Sequence, residues 1–529
     1  MFHAVRFTFM AIQRQAWLGW VIGLMPLAFT TAAAPCDLQI VSAGPCLADG
    51  TYGTPAVGDD YYLKVVVNVV GTPAPFRIQF NFANVISYVD NISVGPGNGY
   101  WWYYGWRLPL DDAIPWSITL DPDGVSGDTN LANNAISGTF TPMPPADAAE
   151  LYSPALVNGS ETSIVYYQPG SGSIDNLWVL FGDPTTHGAQ TVLGVTAPSN
   201  AAVVVTAPDS VAIFNLARTN ATPGTFQDTE SFTARLNRMR VNPSLLRAVT
   251  WADLAGLSSN WTQWLAPDQI CESTDPAITN FVQQSLPANY RTTLTPYDTA
   301  RRLHRAVMQA LSYQYPSDYP DAVNVLADGQ GDCGGYSALL VSALRQVGIP
   351  ARRIAGFWTG DTWSGDSQWH VRVEFHLPGT EWLVADPTIA DEYYDSTGAY
   401  AYEFGYVPDA DSFFAVDVGD AHEMPFYNFA TLQVPNFWWY GSAALTNWAQ
   451  QCYLQPMCSL SVSNLAGGSF RFSVTNAPFD GSIVIEASTN LVNWSPILTN
   501  TSSADANYFS CTVPVAGRTR QFFRVNPVP

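Results

Sequence analysis

The spacing of apolar and polar residues predicts strands in the first part of the chain. Residues 61–70 (YYLKVVVNVV) and 76–85 (FRIQFNFANV) alternate between apolar and polar side chains or run β-branched, and Gly and Pro separate them. Short runs of this kind between turn residues are typical of antiparallel strands. Several of them between residues 35 and 142 predict a β-sandwich domain.

Similar runs predict two further β-rich regions. Residues 162–167 (TSIVYY) and 176–183 (NLWVLFGD) follow a Pro-rich joint and indicate a second β-rich domain over residues 149–255. Residues 459–529 return to short strands and predict a C-terminal β-sandwich module. The aromatic stretch between these regions, residues 431–458, shows no clear period and is expected to be an irregular connector.

The region 265–430 shows a helical period instead. Ala300, Leu303 and Val307 recur at the spacing of one helix face, and Thr295 precedes them as an N-cap. This pattern predicts a helix that begins just after Thr295.

A second helix is expected to follow Cys333, because an apolar stripe begins there and Gly348 ends it. Three strands are then predicted at residues 351–358, 369–377 and 381–388. Helices followed by antiparallel strands indicate an α+β domain.

Composition and charge narrow the class of protein. A chain of 529 residues is too long for one core and is expected to hold several domains. The formal net charge of −22 argues against nucleic acid and anionic membrane surfaces as partners, because both are polyanions. Lys64 is the single lysine of the sequence. Self-crosslinking through lysine side chains is therefore a poor hypothesis for this chain.

The N-terminus predicts export. Arg6 and Arg14 precede the apolar run 16–30 (AWLGWVIGLMPLAFT), and small residues follow it. This order is typical of a secretory signal peptide, which we expect to span residues 1–34. The protein is then expected to be extracellular, periplasmic or at the cell surface, with no membrane span after cleavage. An uncleaved anchor is the alternative.

The sequence contains an odd number of cysteines. The seven cysteines are Cys36, Cys46, Cys271, Cys333, Cys452, Cys458 and Cys511. Export permits disulfides, and the first two, like Cys452 and Cys458, are close enough in sequence to form small local loops. Cys271 and Cys511 either pair or stay free. An odd count leaves at least one thiol unpaired within the chain, and we expect it to be Cys333.

The surroundings of Cys333 suit a nucleophile. A helix N-terminus favours a thiolate, and its backbone N–H groups can stabilise an oxyanion. Asp332 can cap this helix, and three nearby glycines keep side chains away from an approaching substrate. A hairpin turn between the last two predicted strands would bring His370 beside Asp386, as a base and the group that orients it.

Other interpretations of the same residues stay open. Cys333 could be a small buried residue or half of a disulfide, and His376 is an alternative base on the same strand as His370. Gln330 is a candidate side-chain donor to an oxyanion. Trp358, on the strand before His370, could form a wall of the cleft together with Trp363 in the loop that follows.

Motifs elsewhere have weaker functional interpretations. The aromatic stretches 100–108 (YWWYYGWRL) and 436–441 (NFWWYG) could stack on sugars but more often fill cores. Residues 121–128 (DPDGVSGD) could hold Ca²⁺, although an ordinary acidic turn is the simpler interpretation.

Three segments together resemble the transglutaminase-like superfamily. They are GDCGGYSALLVSALRQVGIPARRIAGF (331–357), WHVRVEF (369–375) and WLVADPT (382–388). The resemblance implies a papain-like α+β core with Cys333 as nucleophile, His370 as general base and acid, and Asp386 as the residue that orients His370. Arg372 departs from the family, which often has an aromatic residue two places after the His.

The flanking regions have looser resemblances. Residues 116–140 resemble the cell-adhesion-related sandwich modules of bacteria, and the last region resembles a β-sandwich found at the end of secreted bacterial proteins. The chain is thus expected to be multidomain, with a papain-like transglutaminase core between N-terminal and C-terminal all-β sandwich domains.

The expected function is acyl transfer from protein or peptide amides in the extracellular space or cell envelope, through a thioester on Cys333. The chemistry requires no cofactor. One alternative is a cysteine peptidase or amidase on the same scaffold, with water as acceptor. Another is a non-catalytic adhesion or scaffold protein with a degenerate core.

Overall fold

The computed structural model describes residues 35–528 with internal gaps. The gaps are residues 48–49, 58–60, 83–84, 107–112, 185, 207–210, 316–319, 359–367, 392–403, 408–412, 420–421, 425–429, 433, 435, 457–458, 466–468, 476–481, 489–493, 502–507 and 515–521. The predicted signal peptide and Trp363 therefore lie outside the described residues. Among the described residues, no helix has the length and apolarity needed to cross a membrane.

The N-terminal domain is a sandwich of seven strands. They are β1 (Cys36–Cys46), β2 (Tyr61–Gly71), β3 (Phe76–Phe82), β4 (Val85–Ile92), β5 (Gly97–Trp106), β6 (Ile114–Leu120) and β7 (Ala135–Phe140). The sheet β1-β2-β5 faces the sheet β4-β3-β6-β7. Alternate residues of β2 and β3 are buried between them, as the sequence pattern predicts for strands with one face in a core.

The strand β1 excludes the predicted disulfide between Cys36 and Cys46. These cysteines are the first and last of its eleven residues. At a rise of about 3.3 Å per residue they lie roughly 30 Å apart, far beyond the reach of a disulfide. The prediction of a local loop was wrong because the residues between the cysteines pair with β2 instead. Cys458 lies outside the described residues, so its predicted pairing with Cys452 stays a prediction.

Six strands of a second sandwich follow. They are β8 (Ala149–Tyr167), β9 (Ile174–Gly182), β10 (Gln190–Thr196), β11 (Ala202–Thr206), β12 (Val211–Ala221) and β13 (Thr225–Val241). The helical region starts directly after β13, inside the segment that the sequence pattern had assigned to the β-rich domain. Asn242 caps its first helix by accepting the backbone N–H groups of Ser244 and Leu245.

Helices and a four-stranded sheet form the next unit. The helices are α1 (Pro243–Arg247), α2 (Trp251–Ala255), α3 (Ser259–Thr262), α4 (Pro276–Ser285), α5 (Tyr290–Thr293), α6 (Pro296–Ala310), α7 (Ala322–Asp328) and α8 (Cys333–Val347). Thr295 caps α6, and Gly348 ends α8 at a φ of 90°. Both helices predicted from the apolar period are confirmed.

The strands described in this unit are β14 (Ser312–Tyr313), β15 (Gln330–Gly331), β16 (Ala351–Trp358), β17 (Gln368–His376), β18 (Trp382–Ala385), β19 (Phe413–Val418), β20 (His422–Met424) and β21 (Ala430–Leu432). The first two have only two residues each. The order β18-β17-β16-β19 forms one antiparallel sheet, which α8 packs against. We call it the catalytic sheet, because its strand β17 carries His370, the base predicted from the sequence.

The stretch predicted as an irregular connector is two strands of the second sandwich. They are β22 (Asn436–Gly441) and β23 (Leu445–Pro456). They complete the sheets β11-β12-β9-β22 and β10-β13-β8-β23. The connector prediction was wrong because the partners β8 and β9 lie far back in the sequence. In 436–441, Phe437 and Trp439 pack into the core while Trp438 and Tyr440 face outward.

The last strands form two three-stranded sheets. They are β24 (Ser459–Leu465), β25 (Ser469–Thr475), β26 (Ser482–Ser488), β27 (Ser495–Thr501), β28 (Tyr508–Pro514) and β29 (Phe522–Val528). Their orders are β24-β25-β28 and β27-β26-β29. The C-terminal region is therefore β-rich, as its alternating pattern indicates.

Candidate active site

Cys333 is the first residue of α8. The side chain of Asp332 accepts the backbone N–H of Gly335 at 3.2 Å and caps the helix. The thiol is 8 % exposed and packs against Ala355 of β16 and Val371 of β17. It is not part of a disulfide. The cysteine therefore lies where the helix dipole favours a negative charge.

The glycines around Cys333 allow close packing. A Cβ on Gly331 or Gly335 would approach Val325 of α7 to 3.0 or 2.9 Å. These two positions are therefore small because α7 packs closely against the start of α8. A Cβ on Gly334 would lie 3.1 Å from Oδ1 of Asp332 and 3.3 Å from the guanidinium of Arg353, so the expectation that the three glycines open an approach to the thiol was wrong.

His370 and Asp386 meet across the hairpin of β17 and β18. In this hairpin Val373 of β17 pairs with Ala385, the last residue of β18, and Asp386 follows Ala385 directly. The Nε2 of His370 and the Oδ2 of Asp386 are 2.6 Å apart. The second oxygen of Asp386 accepts the backbone N–H groups of Thr388 and Ile389, each at 3.1 Å. The carboxylate is completely buried and held from both sides.

Cys333 lies close enough to His370 to raise the pKa of its ring, which completes the constellation. Because Nε2 faces Asp386, the ring nitrogen that remains for the thiol is Nδ1. The hydroxyl of Ser337 donates to the carbonyl of Val371 at 3.0 Å and ties α8 to the strand that carries His370. The three residues singled out from the sequence thus lie together.

The electrostatics favour a charged imidazolium. Burial lowers the pKa of His370, but the negative charge and hydrogen bond of Asp386, together with Cys333, outweigh it and raise that pKa to about 10. Burial would raise the pKa of Asp386, yet His370, the backbone N–H of Ile389 and the charge of Arg372 hold it below its usual value. The two shifts agree, as expected for an ion pair.

Aromatic rings surround His370. Trp358 stands edge-on to it at 5.5 Å and Phe413 at 6.0 Å between ring centroids. The guanidinium of Arg372 lies over Phe413 at 4.0 Å. Trp358 therefore borders the site, as expected, while Phe413 on the distant strand β19 was not foreseen. Only its aromatic, β-branched surroundings at 413–418 marked a strand in the sequence.

The alternative base and the candidate oxyanion donor lie elsewhere. His376 stacks on Trp261 at 3.4 Å, and burial lowers its pKa to about 4, so its assignment as an alternative base was wrong. Gln330 lies in β15 with its side chain exposed.

His304 was missed by sequence reasoning. This residue of α6 is completely buried, and its ring lies against the backbone of Asp386. Burial lowers its pKa to about 4, so the ring is neutral beside Asp386. Its position one place after Leu303, on the apolar face of a predicted helix, was the one available signal.

The acidic turn 121–128 closes a loop. Asp121 accepts the N–H groups of Val125 and Ser126, each at 2.9 Å, and the Ser126 hydroxyl at 2.6 Å. Among the residues that the structure describes, no group of three or more His, Cys, Asp or Glu is arranged to hold a metal ion.

Residues 284–387 match the family model of the transglutaminase-like superfamily. The chain contains a transglutaminase-like domain. This match covers the segments that carry Cys333, His370 and Asp386, together with α6 and the catalytic sheet as far as β18. No curated protein matches the chain.

Solved structures resemble the chain distantly. A candidate cysteine protease from Cytophaga hutchinsonii is 13% identical, covers 58% of this chain and 92% of its own, and gives a TM-score of 0.40. Red sea bream transglutaminase is 11% identical over 79% of this chain and 75% of its own, with a TM-score of 0.20. The CARDB domain of PF1109 from Pyrococcus furiosus, solved with di-metal ions, is 13% identical over 22% and 97%, with a TM-score of 0.17.

Proposed function

We propose that the transglutaminase-like domain is a thiol acyl-transfer enzyme that acts on protein or peptide amides. The observation that carries this proposal is the Cys333–His370–Asp386 arrangement, with the thiol at a helix N-terminus and the 2.6 Å contact between His370 and Asp386. Nucleophile, base and orienting group in this order meet the needs of covalent catalysis.

The chemistry follows from the positions of the groups. Nδ1 of His370 already carries the proton of the Cys333 thiol, in line with the raised pKa of the ring, and Sγ attacks the amide carbonyl as a thiolate. The tetrahedral oxyanion lies near the backbone N–H groups at the start of α8. The C–N bond then breaks, His370 gives its proton to the departing amine, and a thioester remains. An incoming amine or water gives its proton to His370 and attacks the thioester, the C–S bond breaks, and the thiolate of Cys333 is restored beside the imidazolium.

The amine acceptor is proposed to come from another molecule. The ammonium of Lys64, the single lysine, donates to the carbonyl of Gly50 at 2.7 Å. It also lies 5.4 and 5.1 Å from the ring centroids of Tyr52 and Trp101. An amine held in this way must lose these contacts before it can attack a thioester.

Export is part of the proposal. The basic and apolar order of residues 1–34 and the net charge of −22 support work outside the cytoplasm, on extracellular or cell-envelope proteins. N-terminal sequencing of the secreted protein tests it, with a new terminus at residue 34 or 35 as the expected result. A full-length protein retained in the cytoplasm would contradict it.

Alkylation of Cys333 by iodoacetamide across a pH series tests the catalytic pair. We expect rapid labelling at neutral pH that is lost in His370→Ala and absent in Cys333→Ala. Glutamine-containing peptides and a fluorescent primary amine then separate the outcomes. Amine incorporation supports acyl transfer, and ammonia or peptide release without incorporation shows hydrolysis. Slow labelling that is unchanged in His370→Ala refutes the pair and leaves the adhesion or scaffold alternative.

A further inference from the structure

The edge of the catalytic sheet is held by the second sandwich. The side-chain amide of Gln190, the first residue of β10, donates to the carbonyl of Ala415 at 2.8 Å. The backbone N–H of Ala415 donates back to the Gln190 carbonyl oxygen at 3.0 Å. Ala415 lies in β19, which ends the sheet order β18-β17-β16-β19. One side chain thus supplies both bonds that a further strand would make to this residue.

Gln190 ends a turn formed by residues 187–190. This turn also contacts β17, the strand that carries His370. The Nδ1 of His187 lies 2.8 Å from one oxygen of Glu374 in β17. The other oxygen accepts two N–H groups of Arg352 in β16 at 2.9 and 2.7 Å. A Cβ on Gly188 would come within 2.1 Å of Glu374. The turn 187–190 is therefore fitted closely to the catalytic sheet at two separate points.

The position of β19 bears directly on the catalytic pair. Phe413 and Ala415 are two residues apart on one strand, so their side chains share a face of the sheet. Phe413 is the ring edge-on to His370, and it also supports Arg372, whose charge acts on Asp386. A shift of β19 along its length would move this ring and the guanidinium above it together.

We propose that Gln190 is a positioning residue of the transglutaminase-like site: it fixes β19 so that Phe413 and Arg372 hold His370 against Asp386. This inference rests on the proposed function. It means that the second sandwich supplies a part of the active-site support. An amide suits the task, because it offers one donor and one acceptor on a single plane.

The test compares Gln190→Met with wild type in the full chain. Methionine keeps the length and volume of the side chain and removes both hydrogen bonds. We expect the rate of iodoacetamide labelling at Cys333 to fall on the order of tenfold to a hundredfold, because small displacements of catalytic groups have effects of this size. The alkaline limb of the acyl-transfer rate, which reports loss of the proton from His370, is expected to move to lower pH.

Asn242→Ala is the matched control. Asn242 is also a buried amide, and it donates to the carbonyl of Pro145 at 2.7 Å, where the second sandwich meets α1. We expect its melting temperature to fall as far as that of Gln190→Met, with the wild-type labelling profile retained. Wild-type rate and pH profile in Gln190→Met, or an equal change in the control, would overturn the inference.

His370→Ala separates this failure from failure of the proposed function. If His370→Ala stops labelling while Gln190→Met leaves it unchanged, the catalytic pair stands and only the positioning role fails. If His370→Ala labels like wild type, the catalytic pair itself fails.

Discussion

Buried carboxyl groups differ in charge between the catalytic sheet and the second sandwich. Glu374 and Asp386 of the transglutaminase-like domain are fully buried, and both have a lowered pKa, that of Glu374 about 2. Glu161 and Glu230, paired across β8 and β13, are equally buried, yet burial raises the pKa of Glu161 to about 8 and that of Glu230 well above its usual value.

The partners of the carboxyl groups explain the difference. Burial favours the neutral acid in all four cases. His187 and Arg352 overcome it at Glu374, and His370 overcomes it at Asp386. No donor from another described residue reaches the oxygens of Glu161 and Glu230, so these two carboxyls can bond only to each other. Cationic partners therefore keep Glu374 and Asp386 ionised, whereas Glu161 and Glu230, which lack such partners among the described residues, stay protonated.

The strongest test removes the anion from the active site. We expect Asp386→Asn to lower kcat about 10⁴-fold, because an amide leaves the imidazolium without its counter-charge and disfavours the productive tautomer. In wild type the raised pKa of His370 keeps the ring protonated up to about pH 10, so kcat falls above that pH, because a neutral ring cannot protonate the departing amine. In the variant this limb moves to lower pH. Unchanged kcat and limb would show that Asp386 is not the counter-charge.

Glu374→Gln tests the structural anion. It removes the charge that Arg352 and His187 face in a buried site. We expect the free energy of unfolding to fall by roughly 3–5 kcal/mol, because an unpaired buried cation remains. Urea denaturation at pH 7 measures it. A loss below 1 kcal/mol would mean that water reaches the site and replaces the carboxylate.

The same substitution in the sandwich is expected to have the opposite sign. Glu161 has a folded pKa of about 8 against an ordinary value of 4.5, so the unfolded chain ionises first and wild-type stability falls as pH rises from about 4.5 to about 8. Glu161→Gln cannot ionise. It should stabilise the protein by roughly 2–4 kcal/mol at pH 8 and have little effect below pH 4. A destabilised variant at pH 8 would contradict this comparison.

A surface pair gives the smallest effect. Glu150 accepts from Arg240 at 2.9 Å, with side-chain exposures of 38% and 16%. Glu150→Gln is expected to change the unfolding free energy by less than about 1 kcal/mol, since water screens the pair. The same urea series measures it. A loss as large as that of Glu374→Gln would break the link between burial and the size of the effect.

The candidate catalytic residues could be found from sequence because their contexts are local. Cys333 follows its own cap and precedes its apolar stripe, and His370 and Asp386 lie on one hairpin. Each signal needs only neighbours in the chain. The order of the three residues also carries the resemblance to the transglutaminase-like family, whose model matches this segment.

Contacts between distant segments left no such signal. Phe413 faces His370 only because β19 pairs with β16, and Gln190 reaches Ala415 from 225 residues away. Strands β22 and β23 were mistaken for a connector, because an edge strand with aromatic residues on both faces has no clear period. Cys36 and Cys46 suggested a loop because closeness in sequence was taken for closeness in space.

Six strands of the second sandwich precede the helices and the catalytic sheet in the sequence, and the strands β22 and β23 follow them. The sandwich therefore cannot be completed until the segment between them has been synthesised. β13 ends at Val241 and β22 begins at Asn436. At 5–20 residues per second, a ribosome needs roughly 10–40 s to make the roughly 200 residues between them. During that time β8 and β9 each lack one partner strand, and unpaired strand edges can pair with strands of other chains. We expect the nascent chain to depend on a chaperone or on slow export until β22 and β23 emerge.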